Sequence, residues 1–265
     1  MLYIYKTITY EQNMILEFLT TMAKAGYRIF SIEDAEKVAH EIGIKHTSIH
    51  YILKSLVKKK AIHPLYKGHY VIEDDILSGS PLHKFEIAER LAKGGAVCCW
   101  SAMAFYELTD QVLLRIYIFS PQKPGKTRSL YRYKIEGYEF VLIQILPESL
   151  WGITRKKVGE VKIHITDLER TLLDGLSYTH YCGGFREVLN AFEIAADRID
   201  ITKLMTYAHK TSIIAQKRLG WILDALSIKT PTPFKIPETK YYDKLDPTGP
   251  RRGKYNKKWM IVENF

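Results

Sequence analysis

The chain has 265 residues, room for two or three compact units, and its 46% hydrophobic and 12% aromatic content excludes a disordered polymer. No apolar run reaches the ~18–20 residues of a membrane helix, and the opening residues lack a basic stretch followed by a long apolar one. Neither a membrane partner nor a secretory leader is therefore expected. The net charge is +10 and unevenly spread: residues 1–72 carry +4, 123–162 carry +5 and 229–265 carry +5, with slightly acidic segments between. Such stretches favour a polyanion, because Lys and Arg release condensed counterions from phosphate.

In chain order, Thr9-Tyr10-Glu11-Gln12 has the form of a capping box, and Ile15, Phe18, Leu19 and Met22 then recur at helical spacing. Gly26 is a stop signal. Ser31-Ile32-Glu33-Asp34 is a second capping box, opening a short helix with Ile32, Ala35, Val38, Ala39 and Ile42 inward and Gly43 at its end. A third helix follows with Ile49, Ile52, Leu53 and Leu56 inward. Two β-prone runs then flank Tyr66-Lys67-Gly68-His69, the pattern of a hairpin. Helix, short helix, glycine turn, helix and hairpin is the order of a winged helix-turn-helix.

The polar face of the third helix sets the expected chemistry. It carries His46, Thr47, His50, Tyr51 and Lys54, with Lys58, Lys59 and Lys60 at its end. Short polar residues near a recognition helix's start reach base edges, and lysines further along meet phosphates. Lys67 and His69 on the hairpin are placed for an adjacent groove or backbone. The expected DNA-binding set is His46, Thr47, His50, Tyr51, Lys54, Lys58, Lys67 and His69, acting on double-stranded DNA. The bland alternative is a hydrated polar face on a winged helix used for protein contacts.

The rest of the chain reads as a mixed α/β domain with a small sheet and a helical segment, so the fold class is α+β. The expected boundaries are 1–72 for the DNA-binding domain, 73–82 for a linker and 83–265 for the second domain. Helices are expected from His83 to about Lys93, from Ser101 to Leu108 and at intervals from Asp167 to Leu226. Strands are expected at Leu113–Phe119, Glu139–Leu146 and Val158–Ile165. Cys98, Cys99 and Cys182 lack the C-x-x-C spacing of a metal site and are expected as reduced, buried thiols of a cytoplasmic protein.

Several segments taken in order carry a resemblance: LYKGHYVI, SAMAFYELTDQ, IHITDLERTLLDGL, CGGFREVL, RLGWILDAL and KLDPTGPRRGKYNKKWMIVEN. Their sequence along more than two thirds of the chain resembles the AbiEi family, the antitoxin and transcriptional-repressor half of bacterial type IV toxin–antitoxin, abortive-infection (phage-defence) operons. The resemblance implies a winged-helix domain that binds inverted repeats in the protein's own promoter, with two copies on the operator. It also implies a second domain that opposes a nucleotidyltransferase toxin without a stable complex. No motif transfers residues for that task. The basic stretches Arg155-Lys156-Lys157 and Arg251, Arg252, Lys254, Lys257 and Lys258 are the physical candidates, as phosphate contacts.

Enzymatic readings are weaker, and no catalytic residue, metal or cofactor is expected. Asp167 suits an N-cap, and Arg170 with Asp174 an i,i+4 ion pair. Gly183-Gly184 lacks the G-K-[ST] of a phosphate loop and reads as a turn. Glu160-Val161-Lys162 has the E-x-K form of metal-dependent nucleases, but Asp110, the upstream carboxylate on offer, falls in a helix or turn rather than on a strand. The scattered histidines form no zinc motif.

Overall fold

The computed structural model describes residues 2–73, 82–121, 130–159 and 161–265, with side chains described from residue 13 onward. The architecture is mixed α+β, in two compact units, Met1–Ile87 and Ala88–Phe265. Residues 74–81 of the expected linker lie outside the described residues.

In the first unit, α1 (Leu2–Lys24) buries Ile15, Phe18, Leu19 and Met22 along one stripe. It begins before the expected cap at Thr9, so Thr9–Gln12 lies in the helix interior. There each backbone N–H already meets a carbonyl one turn back, and a cap has nothing to satisfy. β1 (Ile29–Ser31) is entirely buried. α2 (Ile32–Glu41) starts at Ser31, whose Oγ accepts from the Asp34 N–H at 3.2 Å while Asp34 Oδ2 accepts from the Ser31 N–H at 2.9 Å. This is the predicted capping box. A 3-10 turn, His46–Ser48, leads into α3 (Ile49–Lys58), which turns Ile49, Ile52, Leu53 and Leu56 inward.

β2 (Ile62–Tyr66) and β3 (His69–Ile72) form the predicted hairpin, with β1 pairing along the other edge of β3. Gly68 at the tip has φ +71°, a conformation that costs a side-chain-bearing residue energy. Its carbonyl accepts from the Ile32 N–H at 2.9 Å, which fastens the hairpin tip to the start of α2. Phe18, Phe30, Val38, Leu53 and Ile72 close one core between helices and sheet. Each such burial contributes about 1.5–3 kcal/mol.

The second unit continues from α4 (Lys84–Ala92) through β4 (Ala96–Val97), α5 (Cys99–Phe105), β5 (Arg115–Pro121), β6 (Leu130–Ile135), β7 (Tyr138–Ile145), β8 (Ile153–Val158) and β9 (Val161–Thr166). These strands build one six-stranded sheet in the order β6-β7-β5-β4-β9-β8, larger than the small sheet expected. β5 runs parallel to β7 and β4 parallel to β9, while the other pairs are antiparallel. The expected strand Val158–Ile165 is a correction: the chain doubles back there, pairing Val158 with Val161 around Gly159 at φ +56°. Alternation of apolar residues continues through so tight a turn, so the pattern does not register it.

α6 (Leu168–Ser177), α7 (Phe185–Ala195), α8 (Ile201–Ala208) and α9 (Ile213–Ala225) form the helical part. Leu172, Phe192 and Leu219 from these helices share a core with Phe119 and Val141 of the sheet. The tail adds a second, three-stranded sheet, β10 (Asp243–Lys244), β11 (Lys254–Asn256) and β12 (Ile261–Glu263), with β12 central. Trp259 packs on α9 where Gly220 lies: a Cβ there would come within 2.2 Å of the indole. Among the described residues, no helix is long and apolar enough to cross a membrane.

Candidate nucleic-acid interface

The burial of Ile49, Ile52, Leu53 and Leu56 leaves the opposite side of α3 to solvent. His50, Tyr51, Lys54 and Lys58 are exposed there, Tyr51 by 54% despite its apolar ring. Lys59 and Lys60 follow, also exposed. His46 and Thr47 require a correction: they belong to the 3-10 turn ahead of α3, not to the helix itself. A 3-10 turn is a frequent lead-in to an α-helix and places its side chains just before the first turn. His46 is 72% exposed, and its Nε2 lies 2.8 Å from Glu36 Oε1 on α2. Ser48 precedes α3 without a side-chain cap bond, and the Ile49 N–H donates instead to the His46 carbonyl of the 3-10 turn.

The hairpin adds Lys67, exposed at the tip, and His69, half-buried beside it. The His69 ring stacks on Tyr66 with centroids 4.2 Å apart, and its Nδ1–H donates to the Lys67 carbonyl at 3.1 Å. That bond and the stacking together hold the ring's orientation, with Nε2 left without a bond to the Lys67 carbonyl. One folded unit thus carries all eight predicted residues, on two segments: the turn with α3, and the hairpin tip. The exposed lysines, the Tyr51 phenol and the imidazoles of His46, His50 and His69 suit a polyanion with flat bases better than they suit an apolar partner.

The basic stretches of the second unit behave less uniformly. β8 is an edge strand, so alternation puts Arg155 and Lys157 on one face and Lys156 on the other. Arg155 Nε–H donates to His164 Nε2 at 3.0 Å, and His164 Nδ1–H donates to Glu89 Oε1 at 2.7 Å. Arg251, Arg252, Lys254 and Lys257 are exposed. Lys258 is different: its Nζ meets both Asp224 oxygens at 2.7 Å and lies over the Trp259 ring. That lysine fastens the tail to α9.

The carboxylates weighed as catalytic are occupied structurally. Asp167 caps α6 through the Arg170 N–H at 2.9 Å, and Arg170 Nε–H donates to Asp174 at 2.6 Å inside the core. Lys203 Nζ bridges Asp167 and Glu169 at 3.1 and 2.8 Å. Burial pushes the Asp174 carboxyl well above the ordinary carboxylate range, against the opposing pull of Arg170. Gly183 and Gly184 form a turn ahead of α7. Glu160 lies outside the described residues, and Asp110 follows α5 in an irregular segment, away from any strand. No metal-binding cluster of His, Cys, Asp or Glu occurs among the described residues. Cys98, Cys99 and Cys182 are free and buried. Burial raises a thiol's pKa, but hydrogen bonds from Cys182 and Cys98, with the charges of Arg170 and His180, outweigh it at Cys99 and bring that thiol down to about 5.

Side chains that sequence reasoning missed lie on α9 and the tail sheet: Arg218, Tyr242, Lys244 and Tyr255 line a common pocket with Arg251. Only Arg251 had a sequence signal, as part of a basic run.

No protein-family model matches this chain, and no curated protein matches it. Among solved structures, it is similar to the crystal structure of RV2827C protein from Mycobacterium tuberculosis, with a TM-score of 0.57 over 94% of this chain and 91% of that one. Identity is 13%, so the similarity is one of fold.

Proposed function

We propose that this protein is a sequence-specific DNA-binding transcriptional repressor of its own promoter, whose first unit is a winged helix-turn-helix. In this reading α3 is the recognition helix and the β2–β3 hairpin the wing. His50 and Tyr51 meet base edges together with His46 and Thr47 from the preceding turn, while Lys54, Lys58 and Lys67 meet phosphates. The observation that carries it is the exposed face of α3, with Tyr51 and two lysines on a helix whose other side is fully committed to the core. The AbiEi resemblance of the sequence adds the rest of the proposal. Two copies occupy an inverted repeat, and the second unit serves as antitoxin against a nucleotidyltransferase without binding it stably. The protein itself is not an enzyme, and it acts in the cytoplasm, where its operator lies.

The test is fluorescence anisotropy with the chain's own promoter and a random duplex of equal length. Specific binding at moderate salt, weakening steeply as salt rises, is the expected result. Lys54→Glu is expected to weaken binding to both duplexes and flatten the salt dependence by about one counterion or more. Tyr51→Ala is expected to lower preference for the promoter by roughly 10-fold. Equal affinity for promoter and random duplex would remove the repressor reading.

A further inference from the structure

The tail sheet and α9 border an open pocket of about 390 Å³, within the ~300–1,000 Å³ of small-molecule sites. The register of β10, β12 and β11 aligns Lys244, Val262 and Tyr255 in one row, so these three side chains share a face of the sheet. The opposite face is committed to α9: Asp243 pairs with Lys217 at 2.6 Å, and Glu263 accepts from Trp221 at 2.8 Å.

Arg218, also on α9, is only 7% exposed. Its Nη1–H donates to the Leu176 carbonyl at 2.7 Å, and its Nε–H and Nη2–H reach the Lys244 carbonyl at 3.4 and 3.2 Å. These acceptors are neutral. The nearby carboxylates are engaged elsewhere, Asp243 with Lys217 and Asp246 with the Thr248 N–H and hydroxyl. Among the described residues, no carboxylate forms an ion pair with Arg218. Burial lowers the guanidinium pKa, against the weaker pull of Asp243 and Asp246. A buried cation without an anion is costly, and an anionic ligand in the pocket would supply the missing partner. Lys244, whose Nζ uses one donor on the Gly249 carbonyl, and exposed Arg251 line the same pocket. Tyr242 and Tyr255 line it too, edge to face with centroids 4.9 Å apart and Tyr255 59% exposed, and so does Asp243, whose carboxylate is paired with Lys217.

We infer that this pocket is a nucleotide site, with a phosphate held among Arg218, Lys244 and Arg251 and the base stacked on Tyr255. Cations over a sheet row that ends in an exposed aromatic ring match a phosphate joined to a flat base. The site takes Arg251 from the basic stretch proposed above as a phosphate contact, and it is independent of operator binding by the first unit. Its ligand is a free mononucleotide or a nucleotide within a single strand, which share this chemistry.

The test is calorimetric titration of the full chain with adenosine monophosphate, inorganic phosphate and a short single-stranded oligoadenylate RNA. Adenosine monophosphate is expected to bind. Arg251→Glu is expected to weaken both it and inorganic phosphate about 10-fold. Tyr255→Ala is expected to weaken adenosine monophosphate about 10-fold and leave inorganic phosphate unchanged. Both substituted residues are exposed, so both variants should keep the parent's thermal midpoint and promoter affinity, which separates failure here from failure of the repressor reading. Tighter binding of the oligonucleotide than of the mononucleotide assigns the site to a strand, and equal binding assigns it to a free nucleotide. No binding of adenosine monophosphate at millimolar concentration, or an affinity for it that either variant leaves unchanged, overturns the inference.

Discussion

Glu263 joins the last strand to α9 by accepting from Trp221 Nε1–H at 2.8 Å and from Asn256 Nδ2–H at 3.0 Å. The Asn256 bond and then the Trp221 bond hold its carboxyl below the ordinary value of 4.5. A carboxylate depressed in the folded state contributes stability above its unfolded pKa and loses it as pH falls through the folded one. Thermal melts from about pH 6 to pH 3 should therefore fall more steeply for the parent than for Glu263→Gln, the curves converging at the acid end. Parallel curves would show that the carboxylate has no such role. Not all residue roles were equally legible. Ser31 and Asp167 were readable as caps because a cap and its target amide are three residues apart. Arg218 and the Trp221 bond of Glu263 were not, since those partners lie 26 to 42 residues away in sequence. The polar face of α3 was legible because helical spacing alone divides inward from outward residues.

At the scale of elements, the capping box that starts α2 also sets the geometry of the proposed helix-turn-helix. Ser31 holds the first turn, and the next residue donates its N–H to the Gly68 carbonyl in the hairpin tip. Ser31→Ala should cost about 1 kcal/mol and weaken promoter binding only modestly, because α3 is packed by its own apolar stripe. Urea unfolding followed by circular dichroism measures the first expectation, and an unchanged midpoint would mean that the cap is dispensable. Helices with long apolar stripes were legible in chain order. β1, β6 and the β8–β9 turn were not. Three residues of β1 are too few to show a period, and β1 is stabilised by pairing with β3, a strand forty residues later. β6 is half exposed at a sheet edge, without clear alternation.

For the whole molecule, the two units have separate cores, one around Phe18, Phe30 and Leu53, the other around Phe119, Phe192 and Leu219. Separate cores predict two calorimetric transitions. Leu53→Ala should lower one of them, through a loss of about 2–5 kcal/mol, and leave the other in place. A single transition that shifts as one would show that the units unfold together. The sequence by itself determined the α+β class, the inward faces of α2 and α3, the hairpin and its glycine turn, and a basic charge concentrated in three stretches. Those features are local, since spacing, capping and turn chemistry act over a few residues. Only the tertiary structure decided the order of the six strands, which lysines are spent on ion pairs, and the meeting of Arg218 with the tail tyrosines. Strand order depends on pairing between distant segments, and a buried cation is recognisable only once burial and its neighbours are known.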